Sequence, residues 1–361
     1  MAIARRIFAL PWVESASHSF SHPFNWENIE SKDRQIQGES YTLTIPNYHF
    51  DLETEITGSV NFINQYLTPA NKKCVLMFWS GMANPSIQAL AIASRDQLLN
   101  INGLADTFIT NYQPSLTGVK SMGMHVGPYT QTFAPIDGDF YYNNDFTGPL
   151  YGYQKVIQTL ELTDKPRRLK PIDLYYHIYA AAYPATLEAL IKVYDWALAQ
   201  SVMNIYISEY IKKVLDYFQI ELARKNDLWI IHTKGDLREF RSPLSFGYPD
   251  LIKSQNIVGF RLINNDLYLH TGPNHFSVLS YQKEKPTTAY LVEANGRVTA
   301  FTRSSKELII HLQGYLPLQF TLANVSNCKI IATNPLTITH QQDDTISYSS
   351  SKERDEIHIN C

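Results

Sequence analysis

The chain carries His18-Ser19-Phe20-Ser21-His22, two imidazoles four residues apart. At that spacing both rings lie on one side of a tight loop or of a single helical turn, so both can face one point. Two neutral imidazole nitrogens converging at about 2.0–2.1 Å make half of a catalytic zinc site. A small hydroxyl side chain beside the first histidine can tie the loop backbone in place. The same spacing also arises between two ordinary polar loop histidines, and the rest of the chain has to separate the two readings.

The elements that must position such a pair come from 361 residues, enough for a large core and for two domains. The charged fraction of 18% excludes a disordered or coiled-coil chain. A net charge of -3, with no Lys/Arg run longer than two, excludes a nucleic-acid footprint. The 23 Tyr and 5 Trp supply flat amphipathic faces, which fill β-rich cores and also stack on sugar rings. Cys74, Cys328 and Cys361 are far apart and odd in number, and read as neither a disulfide framework nor a metal site. No apolar stretch of about 18 residues is present to span a membrane. The first residues are basic, then apolar, and broken by Pro11 without a small-residue cleavage site. They read as the end of a helix, not a signal peptide, in a chain that begins inside a fold.

Residues 1–255 alternate short apolar runs with amphipathic ones. Strands are predicted at 73–79, 98–102, 172–179, 204–207 and 228–232. Leu187, Leu190, Ile191, Tyr194 and Leu198 outline one helix face behind Pro184. Ile211, Val214, Leu215 and Phe218 outline a second, capped by Ser208. This order argues an α/β layer or barrel. From residue 256 short β-like runs separated by turn signals predict a small β-sandwich over 256–340, with Asn264-Asn265-Asp266 as a hairpin turn. Residues 341–361 read as a polar, mobile tail.

His18-Ser19-Phe20-Ser21-His22 resembles the second motif of NodB-type polysaccharide deacetylases. The stretch from Ala16 to Trp26 resembles the deacetylase region of PelA-type exopolysaccharide proteins. So do Phe50-Asp51-Leu52-Glu53, Phe78-Trp79-Ser80-Gly81, Thr147 to Tyr153, and the long block from Leu160 through His177 to Gln200. The resemblance covers most of residues 13–330. It implies an α/β fold: a partial NodB-like (β/α) barrel lacking its first strand, followed by the β-sandwich. It implies de-N-acetylation of an amino-sugar polymer with a divalent metal, zinc, held by His18 and His22. His177, near the carboxyl end of an apolar run, takes the place of the acid that protonates the leaving amine. Asp106 resembles a later acidic motif, with a capping turn residue as the alternative. Trp79, Tyr175 and Tyr176 are the expected substrate contacts. The family works in the bacterial envelope, so the resemblance places the chain in the periplasm.

The family's first motif, an Asp pair supplying base and third ligand, has no counterpart here: residues 1–17 contain no Asp, and Met82 stands where an acid is expected. The chain therefore reads as an amino-truncated or split deacetylase, impaired alone. Its expected partners are the polysaccharide and a separately encoded amino-terminal half or other exopolysaccharide-biosynthesis proteins. Asp51, Glu53, Asp139 and Asp145 are the carboxylates it could recruit. The competing readings are a non-catalytic polysaccharide-binding or scaffold protein, and a decayed gene fragment.

Overall fold

The computed structural model describes residues 1–26, 43–103, 107–109 and 116–361, divided into two compact units, Met1–Gln200 and Ser201–Cys361. The first unit holds α1 (Ala2–Phe8), α2 (Ser59–Tyr66), β1 (Leu76–Phe78), α3 (Ile87–Arg95), β2 (Leu99–Ile101), β3 (Gly123–Val126) and β4 (Tyr129–Thr132). It continues with α4 (Asp139–Tyr142), α5 (Val156–Leu162) and α6 (Pro184–Leu198). Their sheet runs β1-β2-β4-β3, with β1, β2 and β4 parallel and β3 antiparallel at one edge. Ser17 lies beside β1: Ser17 N–H donates to the Leu76 carbonyl at 2.9 Å, and Phe78 N–H to the Ser17 carbonyl at 2.7 Å. That pairing delivers His18 to the carboxyl end of β1.

The expected partial barrel is not what forms, because this sheet stays open and small. The apolar runs at 172–177 and 204–206 join no ladder. Ile172, Leu174 and Tyr176 instead pack directly on a core with Val156, Leu160, Leu190 and Val193. Apolar content reports burial, and here the burial is against helices. The face of α6 is also turned from the expected one. Thr186, Ala189, Leu190 and Val193 are buried, while Leu187, Ile191, Tyr194 and Leu198 face outward.

The second unit opens with α7 (Ile207–Gln219), which begins one residue before the expected cap Ser208. Tyr206 and Glu209 close a capping box there. Strands follow as β5 (Glu221–Lys225), β6 (Leu228–His232), β7 (Glu239–Pro243), β8 (Tyr248–Pro249), β9 (Ile257–Ile263), β10 (Asp266–Thr271), β11 (Phe276–Gln282) and β12 (Tyr290–Ala294). Then come β13 (Arg297–Arg303), β14 (Glu307–Gln313), β15 (Gln319–Ala323), β16 (Lys329–Ala332), β17 (Leu336–Gln342), β18 (Thr345–Ser350) and β19 (Arg354–Asn360). They form a seven-stranded sheet, β17-β18-β15-β12-β9-β10-β7, and two four-stranded sheets, β5-β6-β11-β8 and β13-β14-β19-β16. The small sandwich expected over 256–340 is thereby corrected to three sheets that start at Glu221 and end at Asn360.

Alternation builds the core. Leu308, Ile310 and Leu312 of β14 and Ile357 and Ile359 of β19 meet Leu291, Phe320, Leu322 and Ile346. Residues 345–350 and 354–360, expected in a mobile tail, are paired strands whose inward residues complete that core. The Asn264 turn does join β9 to β10, with Asn264 at φ 55°. Cys328 and Cys361 form a disulfide, which corrects the reading of the cysteines. No helix among the described residues is long and apolar enough to cross a membrane.

Candidate active site

The site gathers at the carboxyl ends of the parallel strands, where open α/β sheets place their ligands. His18 follows the Ser17 bridge, Phe78 closes β1, and Asn102 follows β2. The chain between the two histidines is a tight loop, with Ser19 at φ 70° and His22 at φ 54°. The Ser19 hydroxyl accepts His22 N–H at 3.1 Å, the backbone tie expected of a hydroxyl beside the first histidine. Gly81 is required beside it: its φ is +60°, and a Cβ would stand 2.3 Å from the Phe24 backbone.

Glu55 fixes this loop from beneath, and nothing in its local sequence announces that role. It is fully buried in a π-helical turn, Thr54–Gly58. Its Oε2 accepts Phe20 N–H and Ser21 N–H at 2.8 Å each. Its Oε1 accepts the Ser21 hydroxyl and, at 2.8 Å, the Tyr48 hydroxyl. Glu55→Ala strands four donors, and we expect it to lower the unfolding free energy by about 3 kcal/mol. Urea denaturation of the two proteins measures this, and an unchanged midpoint would show that the loop does not depend on the clamp.

The His18 and His22 ring centroids are 4.9 Å apart, at 73° to one another. His18 Nδ1 stands 2.8 Å from the Phe78 carbonyl. A carbonyl only accepts, so Nδ1 carries the proton and Nε2 is left with its lone pair. Burial lowers the His18 pKa to about 4, and nearby His22 and His177 push the same way against the Phe78 hydrogen bond. The residue keeps a solvent-facing edge, so crowding by surrounding atoms, not full enclosure, sets that direction. His18 is therefore a neutral imidazole at physiological pH, tethered through one nitrogen as metal-binding histidines are.

His177 completes the cluster from the segment before α6. Its Nδ1 lies 2.7 Å from Asp139 Oδ1; the carboxylate is 1% exposed and the imidazole 42%. Asp139 opens α4, and its N–H donates to the Tyr175 carbonyl at 3.1 Å, so α4 and the His177 segment hold one another. Tyr175 stacks on His177 at 6.1 Å and meets Phe78 edge-on at 5.5 Å, linking the two halves of the site. Its hydroxyl accepts Asn102 Nδ2 at 3.2 Å. Phe146 stands edge-on to His177 at 5.1 Å. It ends three consecutive residues with positive φ, Asn144, Asp145 and Phe146, at 50°, 49° and 63°. Such backbone costs energy and persists only where the surroundings impose it. Backbone bonds hold it, Asp145 N–H donating to the Phe140 carbonyl and Gly148 N–H to the Asn143 carbonyl at 2.8 Å each, while the Asn143 side chain donates to the Tyr179 hydroxyl and accepts Tyr153 N–H.

The structure thus brings His18, His22, Tyr175 and His177 together. It does not bring Trp79 or Tyr176. Trp79 is fully buried against Trp26 and donates to Asn100, so it offers no face to a sugar. Tyr176 projects opposite to Tyr175 in the extended segment and meets the Tyr194 hydroxyl at 3.2 Å. Asp106 lies outside the described residues. Of the four carboxylates open to recruitment, Asp139 reaches the site, on His177. Asp51 caps Thr54, and Glu53 pairs with Arg95. Among the described residues no three His, Cys, Asp or Glu side chains assemble into a metal-holding group. His18 and His22 fit the chemistry of two nitrogen ligands, and the described residues supply no third.

Behind the site, burial raises the Asp173 carboxyl from 3.8 to about 7, beside Tyr153 and Tyr194. Between those values the folded chain keeps a proton that the unfolded chain releases, so this group lowers stability as pH rises from 4 to 7. Asp173→Asn is expected to raise the unfolding free energy at pH 8 by on the order of 2 kcal/mol, with the gain vanishing below pH 4. Denaturation curves at pH 4, 6 and 8 check the slope; a gain that is the same at all three refutes it.

No family model, no curated protein and no solved structure matches this chain.

Proposed function

We propose that this site hydrolyses the acetamido group of an amino-sugar exopolysaccharide, releasing acetate and leaving a free amine on the polymer. The observation that supports this best is the Asp139–His177 pair set beside a neutral, Nδ1-tethered His18 and its neighbour His22. Asp139 holds His177 Nδ1–H, so the outer nitrogen, Nε2, faces the site and can carry a proton to the departing amine. Asp139 also fixes the orientation of the ring through that bond. Phe146 and Tyr175 confine the ring and narrow the approach to it. A divalent ion, zinc by the nitrogen donors, would sit on His18 and His22 and supply Lewis acidity to the amide carbonyl. The Cys328–Cys361 disulfide favours an oxidising compartment, in keeping with a periplasmic placement among envelope polysaccharide-synthesis proteins.

The described residues bring two imidazoles and no third metal ligand together, and this favours a second reading, a polysaccharide-binding protein without turnover. One experiment separates the two. Purified protein is incubated with partially acetylated amino-sugar oligomers and zinc, and acetate is measured. The deacetylase reading expects release that is abolished by chelator and by His22→Ala. Oligomer binding that ignores chelator, with no acetate formed, establishes the second reading instead.

A further inference from the structure

The first unit carries an apolar surface that plays no part in the site above. It lies on α1 and the turn that follows. Ala4 and Phe8, one helical turn apart, are half-buried. Ile3, Ile7 and Leu10 follow at the same helical spacing and form a second, exposed stripe. Leu10 N–H donates to the Ile7 carbonyl at 3.0 Å and Val13 N–H to the Leu10 carbonyl at 3.1 Å, so turns carry the chain on to Trp12. Ile3 is 72% exposed and Trp12 69%. Four large apolar side chains bared so close together mark a contact surface. The segment is tied to its neighbours at two points. Arg5 Nε donates to the Tyr66 carbonyl at the end of α2, at 2.6 Å, and Lys72 Nζ donates to the Leu10 carbonyl. Phe62 and Tyr66 of α2 are exposed as well, with their rings 5.0 Å apart.

Charge narrows the choice of partner. Residues 1–14 and 62–75 contain Arg5, Arg6, Lys72 and Lys73 against a single carboxylate, Glu14. Arg5, Arg6 and Lys73 are exposed. Arg6 is three residues from Ile3 and four from Leu10, so it borders the apolar stripe. A second copy of this chain, seated on the same face by two-fold symmetry, would set these cations against one another. A layer of anionic lipid headgroups meets both requirements. Apolar side chains enter the boundary with the acyl chains, and basic side chains meet the phosphates. Tryptophan favours that same interfacial depth. With seven residues α1 is far too short to span a bilayer, and its stripe suits a helix lying in the plane of the surface.

We propose that α1 and the turn to Trp12 seat the first unit on an anionic membrane surface, with Ile3, Ile7, Leu10 and Trp12 in the headgroup layer and Arg6 and Lys73 on its phosphates. The assignment is independent of the deacetylase reading. It is tested by co-sedimentation of the full chain with vesicles of mixed phosphatidylglycerol and phosphatidylcholine, and with vesicles of phosphatidylcholine alone. The expected result is binding to the anionic vesicles in clear preference, weakened by raised salt. Arg6→Gln with Lys73→Gln should weaken it by about tenfold or more, and Ile7→Ser with Trp12→Ser by at least as much. Arg6→Lys with Lys73→Arg keeps the charge and should keep the binding. All four side chains are exposed, and circular dichroism melts establish that each variant is folded. Equal binding to both kinds of vesicle, binding that neither the charge nor the apolar variant alters, or no binding at all overturns the assignment. A dimer that Ile7→Ser with Trp12→Ser dissolves, in a protein that ignores vesicles, would put a second copy on this face instead.

Discussion

Asp139→Asn is expected to slow acetate release from an N-acetylated amino-sugar oligomer by about 10²–10⁴-fold, with little change in KM. The reason is local. Asp139 Oδ1 accepts the hydrogen bond of His177 Nδ1–H at 2.7 Å, and its side chain is 1% exposed. An amide there has equal shape, but its NH2 group can face Nδ1 and demand a lone pair from it. The ring then carries its proton on Nε2 when neutral and is no longer held through an Nδ1–H bond to a carboxylate. His177→Ala removes the proposed proton carrier outright and is expected to fall in the same range. Because the two side chains act as one unit, the double variant should be no slower than the worse single. A merely structural role predicts something else, namely lowered melting temperature with a pH–rate profile of unaltered shape. The orienting role predicts a lowered kcat with KM and melting temperature kept, and partial recovery of His177→Gly by added imidazole. Full activity in Asp139→Asn would remove the dyad from the mechanism.

How much of this was legible beforehand depends on sequence distance. The histidine pair was readable because its members lie four residues apart, and the tie from Ser19 to His22 is just as local. Strands at 76–78, 99–101 and 228–232 announced themselves by apolar runs. Asp139 was one of four carboxylates in view, but nothing local marked it as the partner of a histidine 38 residues later. Glu55 is 34 residues from Ser21 and reads as one acid among several. Phe146 is an ordinary aromatic in sequence; only its backbone, with two left-handed residues before it, sets it apart. The α6 face was misread because the helix is apolar on more than one side, and spacing alone does not say which side is covered. The barrel was misread for a related reason. The run from Ile172 to Tyr176 has strand-like composition, yet its backbone makes no ladder and its side chains meet helices.

Removing the disulfide is expected to produce the largest change in stability. Cys328 precedes β16 and Cys361 follows β19, and these strands pair antiparallel with Lys329 opposite Asn360. The bond therefore locks the end of the chain to the edge strand of the β13-β14-β19-β16 sheet. That edge matters to the core, since Ile357 and Ile359 are fully buried and Ile330 packs beside them. The two cysteines are 33 residues apart, and closing a loop of that size in the unfolded chain corresponds to about 4 kcal/mol in the chain-entropy treatment. Cys328→Ser with Cys361→Ser should lower the unfolding free energy of the β-rich unit by roughly 3–4 kcal/mol. Reductant should bring the native protein to the same value and leave the double variant unmoved. Hydrogen exchange localises the effect: amides of β16 and β19 should lose protection first, while those of β1 and β2 stay as they were. A native protein whose denaturation midpoint ignores reductant would mean that strand pairing alone holds the carboxyl end. The cysteine pair would then carry no support for an oxidising compartment.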